Sequence, residues 1–146
     1  MKRTFARILL TVILAVCLIP SAAAGVIAPL ASDYFDGTLE VTVTAVTGGK
    51  LEVRAKASAT GRMSKLGVSE IMIQKKGLIF WSDEAVKTGT VANGMLSTGT
   101  QYYDKIITLP AGLTAGEKYR AVVTFYAEDS SGSDSISKTS DAVTAK

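Results

Sequence analysis

Tyr119-Arg120-Ala121-Val122-Val123-Thr124-Phe125-Tyr126-Ala127-Glu128 is the stretch on which the fold turns. Tyr119, Ala121, Val123, Phe125 and Ala127 occupy alternate positions, with Arg120, Val122, Thr124, Tyr126 and Glu128 between them. Successive side chains of a strand point to opposite faces, so this period of two predicts a long strand with one wholly apolar face and one mixed face. Asp129-Ser130-Ser131-Gly132-Ser133-Asp134 follows as a cluster of turn formers. Ile136 to Thr144 then reads as a last, polar strand, whose Ser, Lys and Asp suit a solvated sheet edge.

The same period recurs upstream. After Gly37, Leu39, Val41, Val43 and Ala45 alternate with Glu40, Thr42 and Thr44. After Gly48-Gly49, Leu51, Val53, Ala55 and Ala57 alternate with Glu52, Arg54 and Lys56. Two such runs about a Gly-Gly pair predict a β-hairpin. A two-residue loop would set Ala45 against Glu52, apolar opposite polar. Pairing Ala45 with Val53 keeps one face apolar, through a three-residue connection that includes Lys50 or a bulge beside the glycines.

Ser58 to Gly67 reads as a loop or strand crossing, and Ile71-Met72-Ile73 as a short buried strand. Lys75-Lys76-Gly77 turns the chain into Leu78-Ile79-Phe80-Trp81. Residues 82–100, rich in Thr, Ser, Gly and Asn, fit either weak strands or a long connection. Tyr102 to Leu109 is another strand, stopped by Pro110. The fold class expected is all-β: one antiparallel sandwich of about seven strands over residues 37–146, with no helix.

Leu113-Thr114-Ala115-Gly116-Glu117-Lys118-Tyr119 resembles the Leu-x-x-Gly-x-x-Tyr approach to the penultimate strand of fibronectin type III and other immunoglobulin-like domains. The resemblance covers residues 109–140 and implies an immunoglobulin-like sandwich. It implies structural roles for Leu113, Gly116 and Tyr119, with Tyr119 as the tyrosine-corner residue, its ring buried and its hydroxyl bonded to nearby backbone. Ala55 and Ala57 stand where fibronectin domains usually carry a core Trp, and the single Trp81 comes later. The overall layout is also similar to small exported bacterial proteins known only as domains of unknown function.

The first residues read as an address. Lys2, Arg3 and Arg7 precede the uncharged run Ile8 to Leu18, then Pro20 and Ser21-Ala22-Ala23-Ala24. Positive, apolar and small segments in that order predict a secretory signal peptide over residues 1–24 and a secreted protein, and a short signal with a cysteine-free product reads as a bacterial export. The alternative is a membrane anchor formed by residues 8–31 if cleavage fails. Residues 25–36 have no period and read as a flexible lead, whose apolar Val26 to Leu30 could instead complete a neighbour's sheet.

Removing residues 1–24 takes away three basic residues and the only Cys, leaving 13 Lys plus Arg against 13 Asp plus Glu. A neutral chain has no global field to gather nucleic acid or anionic membrane, so neither is expected as a partner. The chain has no His, which removes the usual general base and the commonest metal ligand. Asp83-Glu84 would need a second, spaced carboxylate to act as a glycosidase pair. Asp129 and Asp134 lack the regular acidic alternation of a calcium loop. No catalytic residue, cofactor or metal is expected.

Aromatic side chains are the remaining lead. Phe80-Trp81 and Tyr102-Tyr103 are adjacent pairs, so on strands one member of each faces the core and the other solvent. Phe80, Trp81, Tyr102 and Tyr126 are therefore the candidate ligand-binding residues. The function expected is a secreted, non-catalytic module that binds a protein or builds an extracellular assembly. The alternative is carbohydrate binding by aromatics around Trp81.

Overall fold

A computed structural model describes residues 32–110 and 112–146. The expected signal peptide, and the lead as far as residue 31, lie outside the described residues. Among the described residues seven strands form one antiparallel sheet: β1 (Phe35–Val46), β2 (Lys50–Lys76), β3 (Trp81–Thr88), β4 (Leu96–Leu109), β5 (Lys118–Glu128), β6 (Ser133–Thr139) and β7 (Val143–Thr144). The class is all-β, without a helix among the described residues.

β2 organises the molecule. Its first half lies between β1 and β4, and its second half between β5 on one side and β3 with the start of β4 on the other. Of the two readings of Ser58 to Gly67, the loop is wrong and the strand crossing is right: it is the corner where a 27-residue strand passes from one set of partners to another. Pairing with β4 shifts between Ser58 and Met63, and pairing with β5 shifts between Val68 and Glu70. Extra residues of this kind bend a strand, which lets a single sheet curl over its own inner face. The sequence conceals the corner because its Ala, Thr, Gly and Ser resemble loop formers.

The alternation on β5 translates directly into burial. Tyr119, Ala121, Val123, Phe125 and Ala127 are all buried, and the residues between them are half-exposed. They meet Leu51, Val53, Ala55, Leu66, Val68, Ile71 and Ile73 of β2 in one continuous core. Close-packed apolar contact of this extent is the main stabilising term in a domain of this size.

Three local expectations change. The β1–β2 connection is Thr47-Gly48-Gly49, with Val46 opposite Lys50 and Ala45 opposite Leu51. The expected face is kept, but the register lies two residues from Ala45–Val53. Gly48 and Gly49 have φ of 82° and 66°, and so supply the left-handed turn that a larger residue resists. The described end of the lead is anchored: Phe35 is buried, Tyr34 accepts from the Thr60 N–H at 3.0 Å, and Ser32 donates to Asp134. Finally, the expected last strand is two strands, β6 and β7, separated at Ser140, whose hydroxyl accepts from the Ala121 N–H at 3.0 Å.

Tyr119 has its ring in the core, and its hydroxyl accepts from the Thr114 N–H at 3.1 Å. Leu113 is partly buried against the core and donates its N–H to Gly49. Gly116 has φ of 84° and donates its N–H to Ala145, tying the approach to β5 onto the C-terminal segment.

Candidate functional site

Residues 82–100 resolve into β3, a turn and the start of β4. Among the described residues β3 is an edge strand: it pairs only with β2, and most of its side chains are exposed. Asp83, Glu84 and Lys87 lie along it, with a bulge opposite Ile73 and Gln74. Charge and irregularity are the usual means of keeping an edge from pairing with another chain.

The hairpin from β2 into β3 ends in an unusual turn. Lys76 pairs with Trp81, and the Gly77 N–H donates to the Phe80 carbonyl at 2.8 Å, so Leu78 and Ile79 form the tip. Leu78 is fully exposed, and Ile79 and Phe80 are 82% and 78% exposed. Turn positions are ordinarily filled by Gly, Asn, Asp, Pro or Ser, for conformational reasons or for side-chain hydrogen bonds. Three large apolar side chains here serve neither purpose, and they gain nothing from the core.

The hairpin has a rigid base. Gln74 donates to the Asp83 carboxylate at 2.8 Å, and Arg120 Nε donates to Gln74 Oε1 at 2.8 Å. The Arg120 guanidinium lies 4.2 Å from the centre of the Trp81 ring. A row of side chains therefore crosses β3, β2 and β5 and holds Trp81 against the sheet by a cation–π contact.

The four aromatic candidates do not converge. Phe80 and Trp81 share this hairpin, but neither is in the core, contrary to the rule applied to their adjacency. The rule fails because Phe80 belongs to the turn and Trp81 is the first residue of β3. Tyr102 is 70% exposed and Tyr103 is buried, as their alternation on β4 requires. Tyr102 stands opposite Ser58, on the other half of β2. Tyr126 stands opposite Gly67, nine residues along β2 from Lys76, or about 30 Å of extended strand. Its hydroxyl donates to Glu128. A single sugar-stacking platform cannot span these positions.

The carboxylate candidates are engaged locally. Asp129 accepts from the Ser131 N–H at 2.7 Å and from the Gly132 N–H at 3.2 Å, which closes the β5–β6 turn. Hydrogen bonds from Ser131 hold its carboxyl below the usual carboxylate range. Asp134 accepts from Ser32 and from the Ser135 N–H. Among the described residues, no cluster of three or more metal-ligating side chains occurs. A recess of about 260 Å³ opens between β3 and the end of β4, lined among the described residues by Ile71, Ile73, Ala85, Val86, Leu109, Pro110 and the charged Lys87.

Sequence reading missed Leu78, Ile79, Gln74 and Arg120. The signal for the first two was present in Lys75-Lys76-Gly77-Leu78-Ile79-Phe80-Trp81, where a turn glycine leads into apolar residues instead of polar ones. Gln74 and Arg120 lie 46 positions apart and meet only through the β2–β5 pairing. No family model matches the chain, and no curated protein is significantly similar to it.

Proposed function

We propose that this chain is exported by its first 24 residues and acts as a non-catalytic, immunoglobulin-like docking module. The observation that carries the reading is the β2–β3 hairpin, with its exposed apolar tip on a cross-braced base. Exposed apolar side chains clustered at one projecting point mark a surface that another body covers. Fully burying three side chains of this size is worth about 1.5–3 kcal/mol each, before the cost of association.

The kinship to immunoglobulin-like domains rests on Leu113, Gly116 and Tyr119, and on the bond between Thr114 and the Tyr119 hydroxyl. The non-catalytic reading rests on the absence of His, on the single Cys in the leader, and on Asp83 being hydrogen-bonded to Gln74.

The test compares the exported protein with its Ile79→Ser/Phe80→Ser variant on cell envelopes and on insoluble glycans, with circular dichroism on both. Wild type is expected on envelopes, and the variant is expected to lose about tenfold or more in retention. Equal retention of the two would move the contact surface away from the hairpin. Binding to glycans that depends on Trp81 but not on Phe80 would favour the carbohydrate reading.

A further inference from the structure

The chemistry along the hairpin is layered. Leu78, Ile79 and Phe80 are outermost. The first rung behind them is Lys76 with Trp81, and the second is Lys75 with Ser82. A carboxylate first appears on the third rung, where Asp83 faces Gln74, about 7 Å behind the first. Apolar tip, then indole and ammonium groups, then acids is the order met on passing from the hydrocarbon of a bilayer through its interface to water. Trp partitions to that interface, and Lys extends its charge towards phosphates.

From this layering we propose that the body covered by the tip is the surface of an anionic lipid bilayer, with Leu78, Ile79 and Phe80 inserted and Lys76 at the headgroups. The inference rests on the hairpin being the docking element. The net charge of zero that argues against a membrane partner is a sum over all of residues 25–146, not a property of the hairpin. Attraction to headgroups is local and falls off within a Debye length. Lys76 has no acidic partner among the described residues, whereas Lys75 lies 3.9 Å from Glu117. Glu84 follows Asp83 on β3, farther from the tip, whereas Glu117 comes from the start of β5, where it stands level with Gly77 and reaches back to Lys75. The tip is convex and made of consecutive residues, a shape that enters a yielding medium without a matching pocket. Its braced base means that little order has to be acquired on insertion.

Trp81 is the only Trp in the chain and sits one rung from the tip, so its fluorescence reports on the hairpin alone, whatever residues 1–31 do. The exported protein is titrated with phosphatidylcholine vesicles with and without phosphatidylglycerol, and with brominated acyl chains as quenchers. Vesicles containing phosphatidylglycerol are expected to shift Trp81 emission to the blue, with quenching by the brominated lipid. Ile79→Ser/Phe80→Ser should weaken this partitioning about tenfold or more, and Lys76→Gln roughly fivefold. Raised salt should weaken it further.

Unmoved Trp81 emission on anionic vesicles, from a protein that envelopes still retain through its hairpin, would overturn the lipid assignment and leave a protein partner. Equal partitioning into the two kinds of vesicle would also overturn it. Loss of both emission shift and hairpin-dependent retention would instead remove the docking reading itself.

Discussion

Tyr103 carries the clearest conflict between side-chain chemistry and position. Its ring is buried beside Gly67, and its hydroxyl finds no hydrogen-bond partner among the described residues. Burial pushes its pKa up to about 12, because the phenolate is far better solvated in water. The folded value lies above the unfolded one, so this contribution to stability is complete below pH 10 and is lost as pH rises towards 12. A shift of that size corresponds to at most ~3 kcal/mol. Tyr103→Phe is expected to abolish this part of the alkaline loss, while keeping or slightly raising stability at pH 7, in urea melts across pH 7–12. A variant with an unchanged alkaline limb would contradict the assignment. Alternation on its strand predicted that one of Tyr102 and Tyr103 would be buried. That the buried hydroxyl would lack a partner was not legible, because the groups around it come from other strands.

β2 and its connections show what an element demands of small residues. Gly89 lies just past β3, and its N–H donates to Ser69 at 2.7 Å. A Cβ there would sit 1.8 Å from the Val68 carbonyl oxygen, a backbone atom that cannot swing aside. Gly61, in the corner of β2, has open space around the corresponding position and no positive φ. Gly89→Ala is therefore expected to cost about 3 kcal/mol or more, or to prevent folding. Gly61→Ala is expected to be neutral or stabilising by roughly 0.5 kcal/mol. Chemical denaturation of the two variants checks both, and similar losses would contradict the geometry. In the sequence these glycines look alike, since each punctuates a polar stretch. Only the approach of a second segment separates them.

For the whole molecule, acid is the general threat. Hydrogen bonds and cations hold four carboxyls below their ordinary range: Asp36 through Ser58, Asp104 through Arg54, Glu128 through Tyr126 and Lys65, and Asp129 through Ser131. The first three join β1, β4 and β5 to β2. Depressed folded values mean stability that is present above the unfolded values and lost as pH falls through the folded ones. The melting temperature is therefore expected to drop below about pH 4, and Asp104→Asn should remove part of that drop. A melting temperature unchanged down to pH 2 would contradict the assignment. At this scale the sequence by itself determined the all-β class, the buried face of β5 and the choice of face in the first hairpin, because a period of two is local and survives without neighbours. The tertiary structure alone decided that Ser58 to Gly67 is strand, that Phe80 stands free, and that Gln74 and Arg120 brace Trp81. Each of these depends on which distant segment arrives alongside, and no spacing within one segment encodes that.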